Sequence, residues 1–391
     1  MTDRLFLFVA AFFPDSYGGA ERQARILAEA LGRRGVDVTI VAPTVSPEAP
    51  LVEATAFGRI ERFRVATYPN AGGRHIGSFL RWTAWVRRTY RHRLGPDAPA
   101  YVFHARLHAL GPALAAMASG APLLIKLGGG GEASDFAALR AKRFFYGDWV
   151  QSLLLRRVDA FVANSGQIAE DLRALGVGPD RIEAFPNGVV IPAPSDTPRS
   201  GDRFVFAGRL SVDKRIEVLC DAGVALAGDA RPPRLTLLGD GPDLERLQAR
   251  VRAAGAEAAV AFPGFAADVY PEMMRSDFFV SASLREGQSN ALLEAMACGV
   301  IPVVAGASGV SEVVQHGVTG FVVDRPDAEG FAAVMRTALA LPEARRRQMS
   351  EAARRHAADH IGIDAIAGRT LEALDASRDR RRAGRERTRA A

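Results

Sequence analysis

The sequence predicts an α/β protein of two Rossmann-like, doubly wound domains. Three observations predict it. Short apolar runs alternate with helical patterns along nearly the whole chain, a proline-rich break interrupts them near the middle, and the same alternation then restarts. The 391 residues suffice for two domains that each bury a core. At 48% hydrophobic and 24% charged residues, the composition is that of a globular chain and excludes a disordered one.

The first apolar run, Leu5–Phe13, is far shorter than the ~20 residues needed to span a bilayer. Arg4 precedes it and no small-residue cleavage site follows, so a buried parallel strand is preferred over a secretory segment. Ala20–Arg34 then reads as a helix with Ile26, Leu27, Ala30 and Leu31 on one face. Val36–Ala42, Ala100–His104, Leu123–Leu127, Ala160–Ala163 and Ile182–Ala184 supply further strands of a first domain over residues 1–190. Segment 191–201 holds three prolines in eleven residues without apolar periodicity and reads as a linker. Phe204–Ala207, Leu235–Leu238, Ala259–Phe262, Phe278–Val280, Ile301–Val304 and Gly320–Val323 are the strands of a second domain, 202–360. Phe331–Leu339, Pro342–His356 and Ala365–Ala373 are helical. A helix over 361–377 is expected to cross back to the first domain, and the basic tail 378–391 to be disordered. In such paired domains the ligand is expected in the cleft between them.

The formal charge of +6 is unevenly spread. Residues 378–389 carry seven arginines against Asp379 and Glu386, and Arg74–Arg93 carries six arginines and no acid, which leaves the remainder acidic. Only Lys126, Lys142 and Lys214 are lysines. Two distant cysteines, Cys220 and Cys298, make neither a disulfide framework nor a zinc site and suit a reducing cytosol. No other stretch is long enough to span a bilayer, so the expected location is cytoplasmic, soluble or peripheral at the inner membrane. On a helix, Ile76, Phe79, Leu80, Val86 and Tyr90 of the arginine segment share one face, with Arg81, Arg88 and Arg91 toward the other. Trp82 lies at the margin and Trp85 on the polar side. Two readings stand: a basic amphipathic helix for an anionic membrane surface, or a core-packed helix with a solvated basic face. No recognition motif for nucleic acid accompanies the charge.

Three segments carry chemistry. Pro14 to Glu21 follows the first strand and opens the first helix, where Gly18 and Gly19 permit close backbone approach and the helix start favours an anion. Arg209 lies just past a strand end and Lys214 five residues later at a helix start, a planar fork and a point charge suited to a diphosphate. Glu286 ends the loop after Phe278–Val280, Gly287 to Ala291 form a helix N-terminus, and Glu294 lies further along that helix. Each of these taken alone also fits ordinary surface residues and turns.

Together these segments resemble the retaining GT-B glycosyltransferases of family 4, also called group 1. The likeness rests on Gly18-Gly19-Ala-Glu21, Phe185-Pro-Asn187-Gly188, Gly208-Arg209-Leu…Lys214 and Leu238-Gly-Asp240-Gly241-Pro. It extends through Phe262-Pro-Gly264-Phe265, Glu286-x7-Glu294 and Gly317-Val-Thr-Gly320-Phe, and covers residues 4–375. The resemblance implies that Arg209 and Lys214 neutralise the diphosphate of a nucleotide-sugar, with UDP-sugar favoured over GDP-sugar. It implies that Glu294 holds the ribose and Glu286 the donor sugar. The amides around Ser289, Asn290 and Ala291 would bind phosphate oxygens, Gly264 and Phe265 would border the base, and Gly18 and Gly19 would approach the donor phosphate and the acceptor. Neither a cofactor nor a metal is expected, and the chain has no Asp-x-Asp. Many relatives carry a histidine after the strand that here ends in Ile125-Lys126-Leu127, where this chain has Gly128 to Gly131 and Glu132. His104, Lys126 and Glu132 are the candidates for that sugar or acceptor contact. The spacings His104/His108 and His356/His360 have no accompanying acidic ligands, so no metal site is expected there.

The expected reaction is transfer of a sugar with retention to a hydroxyl of a glycan or lipid-linked acceptor, in bacterial surface polysaccharide or glycolipid synthesis. A nucleotide-sugar epimerase or hydrolase on the same fold, and a non-catalytic nucleotide-sugar-binding subunit of a glycan complex, are the alternatives.

Overall fold

The computed structural model describes residues 2–390 except 72, 131–133, 143–145, 195–198, 285–287, 307–308 and 311, and leaves aside the side chains of 74, 385 and 387–390. The chain forms two units, Met1–Gly188 together with Ile363–Ala391, and Val189–Gly362. The chain therefore passes between units after Gly188, ahead of the proline-rich segment expected to divide them.

The first unit is built on β1 (Arg4–Phe8), β2 (Asp37–Thr44), β3 (Val52–Thr55), β4 (Gly58–Arg64), β5 (Ala100–Phe103), β6 (Leu123–Lys126), β7 (Ala160–Ala163) and β8 (Ile182–Ala184). They form one sheet in the order β3-β4-β2-β1-β5-β6-β7-β8, parallel apart from the β3–β4 pair. Its helices are α1 (Gly19–Arg33), α2 (Ile76–Tyr90), α3 (Leu110–Ser119), α4 (Asp135–Arg140), α5 (Tyr146–Arg157) and α6 (Gly166–Ala174). The unbroken apolar run of β1 has a simple cause. Phe6 and Phe8 enter a core with Trp82, Val102 and Phe161, while Leu5 and Leu7 enter a second core on the opposite face with Leu27, Leu31 and Leu124. The strand stops at Phe8, short of the expected Phe13, and further on the chain turns, the Asp15 amide donating to the Phe12 carbonyl at 2.9 Å.

The second unit contains β9 (Arg203–Ala207), α7 (Ile216–Leu226), β10 (Arg234–Leu238), α8 (Leu244–Ala253), β11 (Val260–Gly264), α9 (Tyr270–Arg275) and β12 (Phe278–Ser281). It continues with α10 (Asn290–Ala297), β13 (Ile301–Ala305), β14 (Phe321–Val323), α11 (Ala328–Leu339) and α12 (Glu343–Ile361). All six strands are parallel, in the order β11-β10-β9-β12-β13-β14. That is the doubly wound arrangement, with its reversal of strand order between β9 and β12.

The C-terminal segment corrects an expectation. Residues 378–391 were expected to be disordered, but a helix runs from Ile363 to Ala390. Charge counting along the tail overlooked acids that are distant in sequence. Arg381 meets Asp159 at 2.6 Å and Arg378 meets Asp97 at 3.5 Å, while Asp375, one turn back on the same helix, also pairs with Arg378 at 2.8 Å. The same helix buries Ile363, Ile366, Ala367, Ala373 and Leu374 in the core beneath α1, so it is part of the first unit. Truncating Ile366 or Leu374 to alanine should cost about 2–5 kcal/mol of unfolding free energy, read by chemical denaturation. A change below about 0.5 kcal/mol would mean that the helix does not hold the first unit together.

Candidate functional site

In the second unit the strand order brings the predicted donor segments to one edge. Phe204 pairs with Phe278 and Val205 with Phe279, so Gly208 and Arg209, after β9, and residues 282–284, after β12, leave neighbouring strands at the switch point. The loops after β9 and β10 are stitched together. Leu210 donates to the Asp240 carbonyl at 2.9 Å, and Asp243 donates back to Leu210 at 3.1 Å. This packing explains part of the Gly-Asp-Gly motif. A Cβ at Gly239, whose φ is +144°, would lie 1.8 Å from the Gly208 carbonyl oxygen. Gly239 in turn donates to the Gly264 carbonyl at 2.9 Å, which brings the Gly264–Phe265 turn to the same edge. Phe265 is exposed there.

Arg209 is exposed and makes no ion pair among the described residues. Lys214 ends a 3-10 turn, Val212–Lys214, two residues before α7 instead of at the helix start expected for it. It is half-buried, and burial holds its ammonium below the ordinary lysine range, partly opposed by Asp213. Ser289 is the N-cap of α10, its hydroxyl accepting from Leu292 N–H at 3.4 Å. Asn290 and Ala291 open the helix and Glu294 lies in its second turn, half-buried. Glu286 lies outside the described residues, as does Glu132.

In the first unit the corresponding reversal lies between β1 and β5. Gly18 is the N-cap of α1, and Glu21 is folded back over it. A Cβ on Gly18 would come within 2.5 Å of Glu21 Oε2. The carboxylate of Glu21 thus already faces the helix start that was expected to meet a phosphate.

His104 follows β5 and departs from ordinary strand geometry, with φ +73°. Its amide donates to the Lys126 carbonyl at 2.7 Å. Its Nδ1 lies 3.1 and 3.2 Å from the two carboxylate oxygens of Asp135. Asp135 also accepts from Arg106 Nε at 2.8 Å, Gly128 N–H at 3.0 Å and Ala105 N–H at 3.2 Å. Burial works to raise the Asp135 carboxyl, but His104 and Arg106 hold it below the usual carboxylate range. The imidazole lies directly on Gly128, where a Cβ would come within 1.8 Å of its Cε1. The glycine at the end of β6 therefore leaves space that a side chain from the neighbouring strand fills.

His104 and His108 do not share a helix. His108 sits in the 3-10 turn Leu107–Ala109, fully buried, with Nε2 2.9 Å from the Phe103 carbonyl and Nδ1 3.2 Å from Asn70 Oδ1. Burial pushes it down to about 3, so the ring is neutral. His356 and His360 stack on α12 at 4.5 Å between centroids. Among the described residues no cluster of three metal-ligating side chains is present. Asp135, Arg106 and Asn70 were missed by sequence reasoning. The one available signal, Ser134-Asp135 before a helical pattern, marks a cap, and Ser134 does accept from Ala137 N–H at 3.1 Å.

In α2 both tryptophans depart from the marginal and polar positions expected for them. Trp82 is fully buried, its Nε1 donating to the His108 carbonyl at 2.9 Å, and Trp85 stacks on Phe63 with centroids 4.7 Å apart. Phe79, Val86 and Tyr90 also face the core, whereas Ile76, Leu80, Arg81, Arg87, Arg88 and Arg91 are exposed. Among the described residues no helix is long and apolar enough to cross a membrane.

Two family profiles match the chain, "Glycosyl transferase 4-like domain" over residues 18–188 and "Glycosyl transferases group 1" over residues 191–356. Among curated relatives, the lipopolysaccharide core biosynthesis glycosyltransferase LpsE of Rhizobium meliloti is 31% identical over 188 residues, 45% of this chain. That match spans 53% of LpsE, so the chain aligns with about half the length of this relative. Among solved structures, Anabaena HepE in complex with UDP-glucose superposes with a TM-score of 0.73 at 21% identity, covering 95% of this chain and 99% of HepE. Sucrose-phosphate synthase of Thermosynechococcus elongatus gives 0.75 at 19% identity, covering 94% and 98%. The two doubly wound units define a GT-B fold. The chain belongs to the group 1 glycosyltransferases.

Lys126 ends β6 almost fully buried, and burial pushes its ammonium down to about 7 from the ordinary 10.5. Between these values the unfolded chain holds a proton that the folded chain lacks, so this lysine's penalty grows as pH falls through the window and is complete below about 7. Lys126→Met should therefore stabilise the protein at pH about 6–7 by about 2 kcal/mol or more. The gain should fade as pH rises toward about 10. A gain independent of pH, measured by denaturant titration, would contradict the assignment of a buried, proton-poor amine.

Proposed function

We propose that this protein transfers a sugar from a nucleoside diphosphate donor to an acceptor hydroxyl, with retention, in the synthesis of a surface polysaccharide or glycolipid. The observation that carries the reading is the switch point of the second unit, where Gly208-Arg209 and the segment leading into α10 leave adjacent strands. HepE, of the same fold, binds UDP-glucose, and LpsE is named for lipopolysaccharide core synthesis. Both support a UDP-sugar donor and a glycan or lipid-linked acceptor.

In this reading the second unit is the donor side and the first the acceptor side. Arg209 and Lys214 meet the diphosphate, and the first amides of α10 add the positive end of the helix. Glu294 accepts from the ribose hydroxyls, and Glu286 orients the donor sugar. The Gly264–Phe265 turn borders the base. The bond between the anomeric carbon and the diphosphate oxygen breaks as the acceptor oxygen bonds to that carbon on the same face. The acceptor proton passes to the leaving diphosphate. Two cations and a helix start stabilise the departing charge, so the mechanism requires no divalent ion. Neither carboxylate acts as a nucleophile. Lys214→Ala should lower kcat/KM for UDP release from UDP-glucose by about 10²-fold or more, with the unfolding midpoint of the ligand-free protein unchanged and the UDP-induced thermal shift reduced. Full activity in that variant would overturn the assignment.

The acceptor is read as lipid-linked, reached at the inner membrane. The exposed strip of α2, with Ile76 and Leu80 beside Arg81, Arg87, Arg88 and Arg91, suits an anionic headgroup layer. Vesicles rich in phosphatidylglycerol should float with the protein and phosphatidylcholine vesicles should not. Arg87→Glu with Arg88→Glu should abolish flotation. Equal flotation of the variant would exclude α2 as the docking element.

A further inference from the structure

We infer that the second unit holds a further small-molecule site at the amino edge of its sheet, where Arg346 and Asp277 bind a phosphorylated sugar. The site is separate from the proposed donor site and does not depend on the glycosyl-transfer reading.

A cavity of about 540 Å³ opens at this edge, a volume in the range that small ligands fill. It lies against Asp277, the residue before β12, and Ile301, the first residue of β13. Arg209 and the segment entering α10 follow the opposite, carboxyl ends of β9 and β12. The four residues of β12 alone span about 13 Å, so one ligand group cannot serve both places.

Two charged groups at the cavity are unsatisfied. The Asp277 side chain is 1% exposed, and its Oδ2 accepts from Gly201 N–H at 2.8 Å and Arg203 N–H at 3.1 Å. Its Oδ1 is buried and has no hydrogen-bond partner among the described residues. Arg346 Nε stands 3.8 Å from it, beyond hydrogen-bond reach. The Arg346 side chain is 17% exposed and donates to no other side chain or carbonyl among the described residues. Buried polar groups in this state are rare and call for a partner. Space for the guanidinium is kept by Gly201, φ +81°, where a Cβ would come within 2.4 Å of Arg346 Nη1. The other two inner arginines are already engaged. Arg199 donates to the Gly299 and Cys298 carbonyls, both at 2.6 Å, and Arg354 to the Ala297 carbonyl at 2.7 Å. They hold the carbonyls that end α10 and build the wall, and Arg346 faces the cavity.

The chemistry of the pair selects the ligand. Arg346 requires acceptor oxygens, and a phosphate matches a guanidinium in shape and charge. Asp277 Oδ1 requires a donor. A bare anion would meet repulsion from Asp277 and from Glu343 and Glu351 on the same lining, whereas a phosphate that carries hydroxyls satisfies both groups. No aromatic side chain among the described residues lines the cavity, so nothing there stacks a nucleobase. The fit is to a sugar phosphate and not to a nucleotide.

The test is calorimetric titration of the full chain with glucose 6-phosphate, inorganic phosphate, glucose and UDP. Glucose 6-phosphate should bind, and phosphate or glucose alone should bind at least about tenfold more weakly. Arg346→Gln and Asp277→Asn should each weaken glucose 6-phosphate by about tenfold or more. Arg346→Lys keeps the charge beside Asp277 but loses the planar fork, and should weaken it by a smaller factor. That variant guards against a folding defect in the other two. Lys214→Ala should leave the affinity unchanged, and saturating UDP should not displace the ligand. Absence of glucose 6-phosphate binding at millimolar concentration overturns the inference, as does wild-type affinity in both Arg346→Gln and Asp277→Asn. Displacement by UDP, or equally tight binding of inorganic phosphate, overturns it too. Failure of UDP to bind while glucose 6-phosphate does so counts against the transfer reading and leaves this site standing.

Discussion

Strands buried on both faces are the constraint from which the rest follows. In β1 successive side chains enter opposite cores, and the same holds for β6, where Leu123 and Ile125 go one way and Leu124 the other. Polar side chains are costly along such a strand, and every parallel connection returns the chain to the same starting edge. Chemistry is therefore confined to the strand ends. Arg209, Lys126, His104 and the segment entering α10 all sit just at or beyond the carboxyl end of a strand.

Crowding at those ends explains the glycines. Where two loops leave adjacent parallel strands, about 4.8 Å apart, their backbones meet unless one lacks a side chain. Gly239 against Gly208 is backbone on backbone, while Gly128 makes room for an imidazole from the next strand. The motifs that carry the family likeness thus combine two physical roles. Some of their residues offer charge and others let the charged residues approach. Asn187-Gly188 is of neither kind: the neutral Gln23 amide grips the Gly188 backbone on both sides, at 2.8 and 2.9 Å, at the residue where the chain leaves the first unit.

The central strands of both sheets were legible because each is an unbroken apolar run between turn residues. The β3–β4 hairpin was not. Glu53, Arg59, Glu61, Arg62 and Arg64 break its apolar pattern, and they are tolerated by pairing instead: Arg62 donates to the Phe13 and Pro50 carbonyls, and Glu61 takes both arms of Arg93. The arginine tail was misread for a related reason. Its charge was summed along the chain, whereas the acids that balance it, Asp97 and Asp159, come from other parts of the sequence. In α2 the helical period was legible, but Trp82 and Trp85 were assigned to its margin and polar side when both pack inward. An indole can lie on either side of such a boundary, and only the volume available beneath it decides.

The candidate site divides along the same line. Residues whose role depends on one local motif, such as Ser289 capping α10, are readable from spacing. His104 and Asp135 are 31 residues apart, on different elements, and no period connects them. They meet because β5 and β6 are neighbours and because Gly128, two residues past the second strand, has no side chain. The resemblance expects a histidine at the end of β6, and the chain has a glycine there. Read along the sequence, that is a loss. In space, the end of β6 carries an imidazole all the same, supplied by the strand beside it and fixed by a carboxylate from the helix that follows. Strand adjacency, and not position within a motif, is what brings these side chains together at the edge of the parallel sheet.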